Sequence, residues 1–161
     1  MSPIETLSTS TAHDTLACRS IFEPDNPNQS GLLLHDGFLT VQRIITDLDL
    51  THTHLTALAT CRSGRVGVRQ GEELIGLIQA LLIAGSKSVI ATLWKVDETP
   101  TQAFFQHFYR AIKDGHSPAE ALSYATQAIR QTKGWEHPYY WAAFQISGLA
   151  FDPLKLTSHQ P

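Results

Sequence analysis

A strand–helix–strand succession in the middle of the chain limits the fold more than any other feature. Residues 54–60 and 88–93 are short, apolar, β-rich runs, which is typical of buried strands. Residues 72–84 between them place leucine and isoleucine on a wide helical face, and Gly85 is suited to end that helix. Because a helix joins the two strands, the strands must be parallel, and helices must cover the sheet.

Further patterns add a hairpin and three helices around this unit. Asp36-Gly37 is a two-residue turn signal between the apolar runs of residues 32–40, and Thr40 is suited to cap the helix that follows. Other predicted elements are a strand at 15–18, helices at 41–47, from 99 onward and at 118–132, and a last strand at 141–147. This order predicts an α/β fold with a largely parallel sheet covered on both faces.

Two helix starts in the second half of the chain carry strong local signals. Pro100 falls in the first turn of one helix, where its missing N–H costs nothing. Ser117 and Glu120 form a capping box, with Pro118 at the first helical position of the next helix. Gly115, directly before this box, is suited to end the preceding helix.

Composition indicates one folded domain and argues against several functions. The chain has 161 residues, of which 42% are hydrophobic and 17% charged, so disorder is not expected for most of it. The net charge is −3, without a Lys/Arg block, which gives no support for nucleic acid binding. The longest apolar stretch, residues 74–84, is too short to span a membrane.

The two cysteines also bear on compartment and on cofactors. Because the N-terminus lacks the pattern of a secretory signal, we expect a reducing cytoplasm, and a disulfide between Cys18 and Cys61 is the less favoured alternative. The cysteines and histidines lack zinc-like spacing, and no phosphate-binding loop motif occurs. No metal and no cofactor are therefore predicted.

Cys61 is the residue that most suggests chemistry. It follows the predicted strand at 54–60 and precedes Ser63 and Gly64, small residues that allow close backbone approach. Reacting groups gather at the carboxyl ends of strands in parallel sheets, and a thiol nucleophile needs a base or positive charge and an oxyanion site. A lone cysteine of this kind is more often a small core residue, so both interpretations stay open at this point.

Several segments of the chain are distinctive when they are taken together. They are SGLLL at 30–34, ATCRSG at 59–64, GEELIGL at 71–77, AGSKSVIATLWKVD at 84–97, FY at 108–109, SPAEAL at 117–122 and HPYYWAAF at 137–144. As a set they resemble the CHAT family of caspase-like cysteine peptidases. The resemblance covers about residues 15–150 and implies a caspase-like three-layer αβα sandwich with a mostly parallel sheet. It implies that the N-terminal strands of the family domain are missing, with residues 1–14 and 151–161 as tails.

By that resemblance, Cys61 occupies the position of the nucleophile. The base in the family is the histidine of a His-Gly pair that ends the preceding strand, and the matching pair here is Arg19-Ser20. An arginine stays protonated near neutral pH and cannot act as a base, although its charge would lower the pKa of the Cys61 thiol. The backbone N–H of Ser20 is a candidate oxyanion-hole donor.

Asp97, shortly after the strand at 88–93, has two interpretations. The favoured one is a helix-start residue, because a carboxylate suits the positive end of a helix. The second is a carboxylate that lines a pocket for a basic P1 side chain. His13, His35, His52 and His54 are expected to lie away from the site, so none of them is predicted to replace the missing base.

Arg19 and the short N-terminal region together favour a catalytically impaired pseudoenzyme or interaction module. The alternative is an active thiol endopeptidase that cleaves a peptide or protein substrate, with a partner chain completing the site. Because a first strand is expected beside residues 15–18 and is absent, we expect an open sheet edge, which invites pairing with another chain. The sequence therefore predicts a homo-oligomer or a partner chain that supplies the missing half.

Overall fold

Seven strands and five helices make up the part of the chain that the computed structural model describes, residues 13–16, 19–21, 30–34, 37–58 and 70–151. In chain order they are β1 (His13–Leu16), β2 (Arg19–Ile21), β3 (Gly31–Leu34), β4 (Gly37–Thr40), α1 (Val41–Asp47), β5 (Leu55–Leu58), α2 (Gln70–Ile83), β6 (Ser88–Thr92), α3 (Glu98–Lys113), α4 (Pro118–Gln131), α5 (Pro138–Trp141) and β7 (Phe144–Gly148).

The main sheet has the strand order β1-β5-β6-β7. Strands β1, β5 and β6 are parallel, and β7 runs antiparallel to β6. This arrangement confirms the α/β class and the mostly parallel sheet. The predicted last strand at 141–147 is wrong at its start, because residues 138–141 form the short helix α5 and β7 begins at Phe144.

Strands β2, β3 and β4 form a separate antiparallel sheet. The predicted hairpin is confirmed, but Gly37 belongs to a strand rather than to the turn. It pairs with Leu34 and begins β4 with a φ of 155°, which glycine adopts most readily. Asp36 lies outside the described residues.

The first strand also differs from its prediction. It spans His13–Leu16 rather than residues 15–18, because pairing with β5 runs from His13 opposite Leu55 to Leu16 opposite Leu58. Strand β2 was not predicted. A strand of three residues carries too few positions for an alternating pattern, and its pairing with β3 defines it.

Helices cover both faces of the main sheet. Successive residues of a strand point to opposite faces, and in β5 and β6 both faces are buried. Leu55, Ala57 and Ile90 pack against α3 and α4, with Phe104, Phe108, Ile112, Ala121, Ala125 and Ile129. Leu58, Val89 and Ala91 pack on the other face against α1, α2 and the hairpin, with Leu32, Leu39, Ile44, Leu77 and Leu81. The result is a helix–sheet–helix arrangement.

A short seam joins the end of α2 to the approach to β5. The Leu50 N–H donates to the Ala84 carbonyl at 2.7 Å, and the Lys87 N–H donates to the Thr53 carbonyl at 3.0 Å. Gly85, between these bonds, ends the helix as predicted, with a φ of 110°. A Cβ at this position would lie 2.7 Å from the Thr51 nitrogen, so glycine is required for both backbone angle and space.

Helix starts follow the predicted capping chemistry closely. Helix α1 has the predicted bounds, and the Thr40 hydroxyl accepts from the Arg43 N–H at 3.1 Å. The Glu120 N–H donates to the Ser117 hydroxyl at 3.4 Å, and the Ser117 N–H donates to the Glu120 carboxylate at 2.8 Å, which completes the predicted capping box. Helix α2 begins at Gln70, two residues before the predicted start.

The capping box also affects the acidity of Glu120. Hydrogen bonds from the Ser117 backbone N–H and then from its hydroxyl hold the pKa of Glu120 below its ordinary value of 4.5. A carboxylate with a lowered pKa stabilises the fold above that ordinary value, and this stabilisation is lost as the pH falls through the lowered pKa.

Replacing Ser117 with alanine at neutral pH should lower the free energy of unfolding by ~1 kcal/mol, because the cap to the Glu120 N–H is lost. Urea unfolding followed by circular dichroism measures the change. Ser123→Ala, at an exposed position of the same helix, is the matched control and should stay within ~0.5 kcal/mol of the unchanged chain. Equal stability of the two variants would contradict the capping role.

Candidate functional site

The parallel strands bring three chain segments to one edge of the main sheet, which we call the carboxyl edge because β1, β5 and β6 end there. The register places Leu16 opposite Leu58 and Leu58 opposite Ala91. Arg19, Cys61 and Trp94 each follow one of these residues by three positions in the sequence. Cys61 itself lies outside the described residues, so the place of its thiol stays a prediction.

Arg19 and Ser20 are the first two residues of β2. Their backbones pair with β3, Arg19 opposite Leu33 and Ser20 opposite Leu32. The smaller sheet therefore begins three positions after the carboxyl end of β1. Their expected roles, Arg19 in place of the base and the Ser20 N–H as an oxyanion donor, stay predictions.

The segment after β6 borders the same edge. The Leu93 N–H donates to the Ala143 carbonyl at 2.8 Å, while Val96 is buried in the core against α3 and α4. Between these two attachments, Leu93 is 49% exposed and Trp94 is 38% exposed. Leu93 and Trp94 therefore present apolar surface to solvent next to β5, the strand that precedes Cys61 in the sequence.

Asp97 is the N-cap residue of α3, but its carboxylate makes no capping hydrogen bond. Instead, the Thr101 N–H and hydroxyl donate to the Asp97 carbonyl at 3.1 Å and 2.8 Å. The side chain is exposed. The residue thus lies at the helix start, and the pocket for a basic side chain stays a prediction.

Helix α5 contacts the segment after β6, which the sequence did not indicate. The Trp94 indole N–H donates to the Tyr139 carbonyl at 2.9 Å, and the Tyr139 hydroxyl donates to the Lys95 carbonyl at 2.7 Å. The aromatic residues of α5 differ in their surroundings. Tyr140 and Trp141 lie against the core of α3 and α4, whereas Tyr139 is 39% exposed.

The histidines near these strands lie at the opposite edge, as expected. His13 begins β1 and pairs with Leu55, the first residue of β5. His54 directly precedes β5, with its Nε2 atom 3.0 Å from the Lys87 ammonium. Because a four-residue strand spans ~13 Å, the His54 ring does not reach the carboxyl edge. His35 lies outside the described residues.

Two further kinds of feature are absent from the residues that the structure describes. Among the residues with described positions, no three His, Cys, Asp or Glu side chains are grouped to hold a metal ion. No helix in this described portion has the length and apolar character needed to cross a membrane.

Comparisons with known proteins give relatives of part of the chain. Human tetratricopeptide repeat protein 28 is 32% identical over 85 residues, which is 53% of this chain and 3% of the relative. The mouse protein of the same name is 30% identical over 96 residues, or 60% of this chain and 4% of the relative. The chain thus spans a small fraction of the length of these curated relatives.

A family comparison covers much more of the chain. The sequence model of the CHAT domain matches residues 11–149, well over half of the 161 residues. The predicted domain bounds of 15–150 remain a separate prediction. From the extent of this match, the chain belongs to the CHAT domain family.

Proposed function

We propose that this chain is a caspase-like CHAT domain that binds peptides at the carboxyl edge and carries a reactive thiol with little or no peptidase turnover. The observation that supports it most is the parallel register of β1 with β5, which aligns Leu16 with Leu58. Membership of the CHAT family and the helices on both faces of the sheet support the caspase-like sandwich.

The register of β1 with β5 bears on the distance between Arg19 and Cys61. Adjacent strands lie ~4.8 Å apart, and both residues follow paired leucines by three positions. Arg19 begins β2, three positions beyond the end of β1, and Cys61 comes three positions beyond the end of β5. We therefore propose that the Arg19 guanidinium lies beside the Cys61 thiol, where its charge favours the thiolate.

Arginine changes what such a thiol can do. Peptide cleavage requires a group that takes the thiol proton and later gives a proton to the leaving amine. A guanidinium does neither near neutral pH. A thiolate favoured by Arg19 can still displace halide from a halomethyl ketone, because the C–S bond forms as the carbon–halogen bond breaks and the halide needs no proton. Labelling without turnover is thus the expected behaviour.

Asp97 suggests which peptides the site would prefer. Its carboxylate is exposed and makes no capping bond, and it follows the segment that borders the carboxyl edge. We propose that it attracts a basic P1 side chain. The competing interpretation is that Asp97 only stabilises the start of the helix. It predicts no preference for a basic P1 side chain.

The purified chain should be labelled at Cys61 by a short peptide halomethyl ketone with arginine at P1, without detectable cleavage of the matching fluorogenic peptide. Mass spectrometry locates the label. Norleucine at P1 should label several-fold more slowly, because the contact with Asp97 is lost.

Cys18→Ala is the matched control and should keep the label, whereas Cys61→Ala should lose it. Cleavage of the peptide by the unchanged chain would contradict the impaired state. Absence of a label at Cys61 would contradict the site.

Restoring a base should restore turnover. The double variant Arg19→His, Ser20→Gly introduces the His-Gly pair of the family, and general acid–base catalysis contributes roughly 10²- to 10⁴-fold to such reactions. Cleavage of the fluorogenic peptide should therefore rise by about 100-fold or more. The same double change with Cys61→Ala should remain inactive. No gain would indicate that the two strand ends do not form a working pair.

We also propose that β1 pairs with a strand of a second chain. Within the described residues, the strand order ends at β1, and an edge strand offers unpaired backbone groups to another chain.

Light scattering of the purified chain tests this pairing and should give a dimer or larger assembly at micromolar concentration. A monomer that unfolds cooperatively in urea would contradict the need for a partner strand.

A further inference from the structure

Two aromatic residues join the carboxyl edge to α5 through reciprocal hydrogen bonds. The side chain of Trp94 donates to the main chain of Tyr139 at 2.9 Å, and the side chain of Tyr139 donates to the main chain of Lys95 at 2.7 Å. Each segment therefore restrains the backbone of the other. We call these two residues the Trp94–Tyr139 pair.

The side chains of the Trp94–Tyr139 pair are only partly buried, so packing in the core does not explain why the two segments are joined here. Trp94 is 38% exposed and Tyr139 is 39% exposed, so both polar groups lie where water competes with their partners. Such a hydrogen bond contributes ~1 kcal/mol net. Because each bond ends on a main-chain carbonyl of the other segment, the pair also restrains the position of residues 93–95.

Helix α5 is itself attached firmly to the rest of the fold. The Tyr139 N–H donates to the His137 ring at 3.1 Å, which caps the helix. Trp141 packs against the core of α3 and α4, and the Arg130 guanidinium carbon lies 5.6 Å from the centre of its ring. The hydrogen bond from Tyr139 to Lys95 therefore connects residues 93–95 to the layer formed by α3 and α4.

The segment at residues 93–96 is also held at both of its ends, so the Trp94–Tyr139 pair holds only its middle. Leu93 is bonded to Ala143, and Val96 is buried. Between these two residues, the Lys95 carbonyl accepts a hydrogen bond from the Tyr139 hydroxyl. Loss of that hydroxyl would release the main chain next to Trp94 without removing any buried group.

We propose that Tyr139 is a positioning residue that fixes residues 93–95 for peptide binding at the carboxyl edge. The consequence for binding rests on the proposed function. Tyr139 is not expected to contact the thiol, so its loss should weaken the peptide-directed part of a reaction and leave the intrinsic reactivity of Cys61 unchanged.

The test compares Tyr139→Phe with Tyr140→Phe in the full chain. Hydrogen exchange of residues 93–97, followed by mass spectrometry, should become about five-fold faster in Tyr139→Phe, because a hydrogen bond that opposes local opening is lost. It should not change in Tyr140→Phe, the neighbouring tyrosine.

The second measurement is a ratio of labelling rates at Cys61. The rate with the arginine-bearing peptide halomethyl ketone is divided by the rate with iodoacetamide, which carries no peptide. Tyr139→Phe should lower this ratio about three- to ten-fold, whereas Tyr140→Phe should leave it unchanged. A merely structural role would speed hydrogen exchange without changing the ratio, and that result overturns the proposal.

The two proposals fail in different ways. If the unchanged chain shows no advantage of the peptide over iodoacetamide, peptide binding at this edge is wrong, and the positioning role is overturned with it. If the unchanged chain shows the advantage and Tyr139→Phe keeps it in full, only the role of Tyr139 is overturned.

Discussion

The parallel pairing of β1, β5 and β6 is the constraint on which the rest of the structure depends. It sends Leu55 and Ala57 to one helical layer and Leu58 to the other. A slip of one residue would exchange these faces and place each side chain in the wrong layer. The same register aligns the chain positions before Arg19, Cys61 and Trp94, so the core and the candidate site are determined by one set of backbone hydrogen bonds.

Local chemistry determined the parts of the fold that the sequence predicted well. Thr40 and Ser117 offer cap oxygens within three residues of their donors, and Gly85 tolerates the backbone angle that ends α2. Long-range pairing determined the parts that differed. Pairing with partners distant in sequence defines the bounds of β1, the existence of β2 and the antiparallel direction of β7. No local sequence pattern predicts these three features.

The candidate site divides in the same way. Apolar runs located the strands that precede Cys61 and Trp94, and the family resemblance supplied the expected roles of Cys61, Arg19 and Ser20. The bonds between Trp94, Lys95 and Tyr139 join residues 44 and 45 positions apart. An exposed tyrosine beside a proline has many possible hydrogen-bond partners. Neither periodicity nor composition therefore identifies the Lys95 carbonyl as the partner of Tyr139.

The seam around Gly85 has a consequence for how the molecule opens. Bonds from Leu50 to Ala84 and from Lys87 to Thr53 join the approach to β5 with the end of α2, and Thr51 closes the space over the glycine. Separation of the two segments would break both of these bonds. We therefore expect them to open together as one unit of local unfolding, so that a substitution that destabilises the turn before β5 would also destabilise the end of the helix.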